Sequence, residues 1–174
     1  MSTLEIIKYP NPLLKKKSKA VKRVDDRTKK LITDMTETMH EAPGVGLAAP
    51  QVGELLRIIV VDIGEGPLAI VNPKLKKRSG EQIFVEGCLS LPNLEAPVKR
   101  ASKILVSGMD RNGKAFLLEA EALLATVIQH EMDHLDGKLF IDRADPGQIK
   151  HLSREETSKR DSTCSLEKSE ECMM

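Results

Sequence analysis

The chain has 174 residues, of which 40% are hydrophobic and 30% are charged, and its formal net charge is +1. This length fits a single domain, and the small net charge provides no strong field for nucleic acid. No apolar run approaches the ~20 residues of a membrane-spanning helix, and the N-terminus lacks the features of a secretory signal. We therefore expect a cytoplasmic protein with no membrane segment and no nucleic-acid motif.

The first predicted element is an amphipathic helix from Asp25 to about Ala42, because its apolar side chains recur at helical spacing. An aspartate can cap its start, and Pro43-Gly44 ends it. A segment of small residues with no clear period follows, from Gly44 to Gln51.

Short strands are predicted in the middle of the chain, where β-branched or alternating residues are bounded by turn residues. These strands cover residues 57–63, 68–71, 82–86, 96–100, 103–109 and 114–118. Asn72-Pro73 limits how the second of them can pair, and the segment from Asp110 to Gly113 supplies the turn of a hairpin.

A second helix is predicted from Glu119 to about Asp136, with Glu119 and Glu121 at its positive N-terminal end. Gly137 is placed to end it. Residues 1–147 are expected to form one domain, and the polar residues 148–174 a partly helical, partly disordered tail with no packed role. The predicted fold class is α+β, with small antiparallel sheets packed around the second helix and an N-terminal helix beside them.

The second helix carries the HExxH pattern, from His130 to His134. Residues four apart are separated by about one helical turn, so both imidazoles can bind one metal ion. Glu131 lies off that line, where it can take a proton from a water activated by the ion. Two histidines can also fall at this spacing by accident on a surface helix. However, they share a stripe with Leu123 and Val127, which favours an interior position and a partner.

An HExxH site needs a third ligand, and the extended pattern HExxHxxGxxH fails because Phe140 occupies its last position. Upstream, Cys88 follows Gly87, which gives the backbone freedom to aim a ligand. A thiolate and two imidazoles leave one position open for water, as in catalytic sites. Alone, Cys88 would more often be a packed core thiol. Because the helix offers no other partner, Cys88 is the leading candidate for the third ligand.

The segment from Gly44 to Gln51 is not a phosphate-binding loop, since it lacks the Gly-Lys-Ser/Thr ending. It can be a tight turn whose small residues allow close packing. Alternatively, its glycines let an extended substrate approach the backbone while the Gln51 amide donates to a developing oxyanion. The segment alone does not decide between these two interpretations.

Together, three segments resemble the signature motifs of the peptide deformylase family, in the family's order. They are Gly44-Val-Gly-Leu-Ala-Ala-Pro-Gln51, Glu86-Gly-Cys-Leu-Ser90 and Gln129-His-Glu-Met-Asp-His134. The resemblance extends from Ile6 to about Asp142 and does not include the tail. It implies a metal-dependent hydrolase that removes the N-formyl group from formyl-methionyl nascent polypeptides and releases formate.

The resemblance also implies the roles of individual residues. The implied metal ligands are Cys88, His130 and His134. Glu131 is the implied general acid/base, and the Gln51 side chain and the Leu89 backbone N–H are the implied oxyanion donors. The implied metal is Fe²⁺, with Zn²⁺, Ni²⁺ or Co²⁺ as substitutes, although the ligand chemistry alone suggests zinc. We also expect Glu86 and Arg100 to pair beneath the loop.

For the substrate, the resemblance implies that Gly46 contacts the peptide backbone. It implies an apolar methionine pocket, for which Val45, Leu123 and Val127 are suitable lining residues and Phe84 is a further candidate. Each of these side chains could equally be ordinary core.

Two other hypotheses remain. An HExxH peptidase is disfavoured by the missing ligand after His134 and by the presence of Cys88. A non-catalytic metal-binding or ribosome-associated module is disfavoured by Glu131, which is not needed to hold a metal. Transient ribosome association through the basic clusters or the tail is an expectation that their mixed charges weaken.

Overall fold

The structure is a computed structural model, and it describes residues 2–159. The helices and strands follow the chain in this order: α1 (Asp26–Glu41), β1 (Gly46–Ala48), β2 (Ile58–Val61), β3 (Leu68–Ser79), β4 (Gln82–Cys88), β5 (Leu91–Arg100), β6 (Lys103–Met109), β7 (Ala115–Glu121), α2 (Ala122–Leu135) and β8 (Lys150–His151). Short 3-10 helices lie at Pro12–Lys15, Ala49–Val52, Phe140–Asp142 and Pro146–Gln148. A further helical segment covers residues 154–159.

The strands form two antiparallel sheets. The first has five strands in the order β1-β2-β3-β6-β7, and the second has three in the order β4-β5-β8. The predicted α+β class is therefore confirmed. Strand β3 runs further than predicted, because its pairing with β6 resumes at Lys74 after a register shift that follows Val71. Asn72 takes a positive φ of 53° within this irregular stretch.

Strand β2 is buried on both faces, which explains why its sequence is continuously β-branched and shows no alternation. Ile59 and Val61 belong to the hydrophobic cluster that includes α2. Ile58 and Val60 belong to the cluster that includes α1. The two helices therefore pack on opposite faces of the five-stranded sheet, and α2 is enclosed between that sheet and the rest of the chain.

Helix α1 begins as predicted. The Asp25 side chain accepts a hydrogen bond from the Thr28 N–H at 2.9 Å, which satisfies one of the free N–H groups of the first turn. The helix ends at Glu41, just before Pro43.

Helix α2 begins three residues later than predicted, at Ala122. Glu119 lies in β7, where it pairs with Lys103 at 2.9 Å. Glu121 occupies the N-cap position but its side chain makes no capping hydrogen bond. The expectation that Glu119 lies at the start of the helix is therefore wrong, because pairing with β6 holds the chain extended up to Glu121, which alone of the two lies at the helix N-terminus. Ala122 makes the change of direction with a positive φ of 50°.

Gly137 follows the end of α2 and has a φ of 72°, as predicted for a residue that ends a helix. A Cβ atom at this position would lie 2.3 Å from the backbone oxygen of Lys15. Glycine is therefore required both by the turn and by the close approach of the N-terminal segment.

The start of the predicted tail packs against the domain. Lys150 and His151 form β8, which pairs with Leu94 and Glu95 of β5, so the expectation of no packed role does not hold for these two residues. Residues 160–174 of the predicted tail lie outside the described residues. Within residues 2–159, no helix is long and apolar enough to cross a membrane.

Candidate metal centre

Helix α2 places the HExxH residues in the interior of the protein. His130, Glu131 and His134 are 2%, 1% and 1% exposed. Leu123 and Val127, on the same stripe, belong to the core cluster between α2 and the five-stranded sheet. The two histidines therefore face the interior, as expected. The alternative, that they fall at this spacing by accident on a surface helix, is excluded.

Cys88 reaches the histidines from the end of β4. Its Sγ lies 3.4 Å from Nε2 of His134. One ligand atom from each of Cys88, His130 and His134 can be chosen so that all three lie within 4.8 Å of one another. Ligands of one tetrahedral ion at usual bond lengths are roughly 3.5 Å apart. The structure thus brings the three predicted ligands together, at distances that are close to those of ligands around one ion.

Several buried polar atoms at this group have no hydrogen-bond partner among residues 2–159. They are Nε2 of His130, Nδ1 of His134 and Oε2 of Glu131. Unsatisfied buried polar atoms are costly. Nε2 of His130 can be satisfied by a bound ion, whereas His134 approaches Cys88 through Nε2, so its unpaired Nδ1 is not the atom that would bind the ion. Burial, followed by the charge of His130, lowers the pKa of His134 well below its usual range, which keeps its imidazole neutral and able to donate a lone pair. The donor set therefore fits a metal cofactor.

The His130 ring is oriented by a carboxylate behind it. Nδ1 of His130 lies 2.7 Å from Oε1 of Glu86, which leaves Nε2 to face Cys88 and the ligand group. Burial is the largest influence on Glu86 and raises its pKa, but hydrogen bonds from His130 and Arg100 outweigh it, and the net pKa is lowered. Glu86 is therefore an ionised acceptor for the N–H at Nδ1 of His130, and it fixes the orientation of that ring.

The expected pair between Glu86 and Arg100 is present, with distances of 2.6 and 2.8 Å. Arg100 also donates to Asp133 at 2.9 Å, and Nη2 of Arg143 donates to Asp133 at 2.7 Å. Two arginines and two carboxylates thus form a chain with no net charge behind His130, in which Glu86, Arg100 and Asp133 are buried and Arg143 is exposed. Sequence reasoning missed Asp133 and Arg143; the only available signal was an acidic residue three positions after the first histidine of the helix.

Glu131 lies against the glycine of β1. A Cβ atom at Gly46 would be 2.5 Å from Oε1 of Glu131 and 2.9 Å from Cγ1 of Val127. Burial, the largest influence, raises the pKa of Glu131 to about 7, although the charges of His130 and Arg100 oppose the shift. Gly46 therefore provides the space in which this buried carboxyl group sits.

The Gln51 side chain is fixed at the edge of the ligand group. Its Oε1 accepts a hydrogen bond from the Ala48 N–H at 2.9 Å, which orients its amide. Its Nε2 donates to Ser90 Oγ at 3.2 Å and lies 3.5 Å from Cys88 Sγ. Leu89 is the next residue after Cys88, in the turn that joins β4 to β5. The Gln51 amide therefore lies beside the Cys88 thiol, and Leu89 follows Cys88 in the chain; the role of each as an oxyanion donor stays a prediction.

The residues expected to line a methionine pocket lie in one cluster. Val45, Leu123 and Val127 belong to one buried cluster, and Phe84 is a partly buried side chain that packs against that cluster. Of these residues, Val127 lies beside the Gly46 position that Glu131 also borders. Their role in substrate binding stays a prediction.

The family model for polypeptide deformylase matches residues 3–150. The chain belongs to the polypeptide deformylase family. A peptide deformylase of Caldicellulosiruptor bescii is 48% identical over 160 residues, which are 92% of this chain and 94% of that relative. The described fold thus positions the three family motifs around one point.

Solved deformylase structures share this architecture. The crystal structure of peptide deformylase from Thermotoga maritima has a TM-score of 0.81 and 41% sequence identity, and the match covers 83% of this chain and 99% of that one. A Synechococcus elongatus peptide deformylase in complex with actinonin has a TM-score of 0.80 and 39% identity, over 90% of this chain and 82% of that one. Because the chain belongs to the deformylase family, the hypothesis of an HExxH peptidase is not favoured.

Proposed function

We propose that this chain is a peptide deformylase that hydrolyses the N-formyl group of formyl-methionyl peptides, giving formate and a free methionine amine. The observation that carries the proposal is the meeting of Cys88 with His130 and His134 in a chain of the deformylase family. The HExxH peptidase is the weaker alternative, because the third donor is a thiol upstream of the helix.

Cys88, His130 and His134 would hold one metal ion. When bound, such an ion acts as a Lewis acid and lowers the pKa of a coordinated water. The proposed ion is Fe²⁺, with Zn²⁺, Ni²⁺ or Co²⁺ as substitutes, on the strength of the family resemblance. Glu86 would keep the His130 ring in the orientation that ligation needs, through its 2.7 Å contact with Nδ1.

Glu131 is the proposed general acid/base. Its Oε2 is buried and accepts no hydrogen bond within the part of the chain that the structure describes, so this oxygen is available to accept a proton from the attacking water. The same carboxyl group would then deliver the proton to the nitrogen of the departing methionine. Burial of Glu131 beside Gly46 keeps bulk water from competing for that proton.

Gln51 and Leu89 are the proposed oxyanion donors. As the formyl carbon becomes tetrahedral, its oxygen gains negative charge, and preorganised N–H groups stabilise that charge. The Gln51 amide is already oriented by its bond to the Ala48 N–H, so little reorganisation is needed. The Leu89 N–H is proposed as the second donor.

Gly46 is proposed to contact the backbone of the peptide substrate, with Val45, Leu123 and Val127 around its methionine side chain. The substrate class would be nascent chains in the cytoplasm, processed by residues 1–147 as the catalytic domain. Transient ribosome association stays a prediction.

The test is formate release from formyl-Met-Ala-Ser by protein purified anaerobically with ferrous iron. Glu131→Ala should keep its metal and lose turnover, whereas Glu119→Ala, an exposed glutamate of β7, should behave as wild type. Cleavage of casein without release of formate would replace this proposal with the peptidase. A folded, iron-loaded wild type that releases no formate would also reject it.

A further inference from the structure

The N-terminal segment Ile7–Tyr9 crosses the outside of the two motifs that carry the proposed oxyanion donors. The Ile7 N–H donates to the backbone oxygen of Gln51 at 2.7 Å, and the Tyr9 N–H donates to that of Ser90 at 2.9 Å. Between them, the Lys8 ammonium donates to the backbone oxygen of Leu89 at 2.7 Å. Three consecutive residues thus bond to the backbone oxygens of Gln51, Leu89 and Ser90.

The turn that these bonds contact does not have the residues that usually stabilise a hairpin loop of its length. Leu89 and Ser90 are the two residues between the paired positions Cys88 and Leu91. Hairpin loops of this length favour turns with positive φ, which glycine, asparagine and aspartate supply. Leu89 and Ser90 are not among the residues with positive φ in the described chain. The turn therefore lacks the conformation that matches the twist of its strands, and contacts outside the hairpin must hold it.

We propose that Lys8 is a positioning residue for the reaction, through its hold on the Leu89 carbonyl. This inference rests on the proposed deformylase function. A charge-assisted hydrogen bond is stronger than a neutral one, so the ammonium restrains residue 89 and, with it, the direction of the Leu89 N–H. Lys8 touches neither the proposed ligands nor the apolar cluster, and its side chain is exposed.

This geometry separates Lys8 from a merely structural residue. Its removal leaves the core and the backbone bonds of Ile7 and Tyr9 in place, so folding and metal binding should persist. The change is in the direction of the Leu89 N–H. A small misplacement of such a donor lowers the rate of the chemical step far more than it weakens binding of the peptide. The loss should therefore fall on kcat and spare KM.

The experiment compares Lys8→Met and Lys8→Arg with Lys22→Met, which removes the same charge from another exposed lysine. All are measured as iron-loaded protein with formyl-Met-Ala-Ser, together with bound iron per chain, the melting temperature and inhibition by the product Met-Ala-Ser. The product lacks the formyl oxygen, so its inhibition constant reports the peptide site without the oxyanion donors.

Lys8→Met is expected to lower kcat about tenfold, with KM, product inhibition, iron content and melting temperature close to wild type. Lys8→Arg, which keeps a cationic donor, should recover most of the rate, and Lys22→Met should match wild type. A kcat of Lys8→Met within about twofold of wild type, or equal losses in Lys22→Met, would overturn the positioning role. If wild type itself releases no formate, the proposed function fails instead.

Discussion

The carboxyl group of Glu131 occupies the space that a side chain at Gly46 would fill. The nearest distance, from a Cβ built on Gly46 to Oε1 of Glu131, is 2.5 Å, well inside van der Waals contact. Gly46 is held there by the pairing of β1 with β2, opposite Val61, and Glu131 by the metal-binding helix. Both backbones are held by secondary structure, so residue 46 must lack a side chain if Glu131 is to keep its position.

Gly46→Ala should therefore displace Glu131 and reduce kcat about a hundredfold, because a misplaced catalytic group loses its alignment with the reacting atoms. Overpacking should also destabilise the fold by about 1–3 kcal/mol. Formate release and thermal melting measure the two effects. Gly147→Ala is the matched control, since the nearest atom to a Cβ there is at 3.5 Å. Wild-type kcat in Gly46→Ala would show that the close approach does not restrict the carboxyl group.

Glu86→Gln should weaken metal binding by about 10- to 100-fold, because a neutral amide no longer fixes the His130 tautomer as a carboxylate does. It should also destabilise the protein, since Arg100 would keep its charge while losing a buried partner. Competition with a chelator measures the affinity, and Glu119→Gln on the surface serves as the control. Unchanged metal affinity would mean that Glu86 does not act through His130.

Activity of the iron-loaded protein should fade in air and persist under a reductant, because ferrous iron beside the Cys88 thiolate is prone to oxidation. The same chain reconstituted with zinc or nickel should keep its activity on aeration. Formate release before and after aeration, with metal analysis of each sample, makes the comparison. Equal stability of the iron and zinc forms would argue against iron as the ion that native protein carries.

The cap of α1 should contribute stability that depends on pH. A hydrogen bond from the Thr28 N–H, the largest influence, lowers the pKa of Asp25 below its usual 3.8. A lowered folded-state pKa stabilises the fold above the unfolded pKa, and this stability is lost as the pH falls through the folded value. Asp25→Ala should therefore melt at a lower temperature than wild type at neutral pH, and the difference should shrink below pH 3.8. A constant difference across that range would assign the effect to something other than ionisation.

Two of the three proposed ligands were predictable because they are encoded locally. HExxH fixes two donors by helical spacing, and the lack of a ligand at Phe140 directs attention to Cys88. The α1 boundaries were predictable for the same reason, since Asp25 and Pro43 mark them within a few residues. For the two histidines and for the cap of α1, the deciding interaction lies within about one helical turn, whereas the long-range approach of Cys88 was inferred from the absence of another ligand.

The features that sequence reasoning missed depend on partners far away in the chain. Glu119 looks like the first residue of a helix until β6 pairs with it. Asp133 and Arg143 are linked to the residues behind His130 through Arg100 of β5, which donates a hydrogen bond to Asp133. Long-range pairing overrides local preference in such places, and no spacing rule in a single sequence reports it.

The direct junction of β7 and α2 has a mechanical consequence. The strand ends at Glu121 and the helix begins at Ala122, so no flexible loop lies between the five-stranded sheet and the HExxH residues. Each added helical residue turns the chain by about 100°. One residue inserted at this junction would rotate His130 and His134 away from Cys88, whereas the same insertion in the turn between Asp110 and Gly113 would leave the metal centre intact.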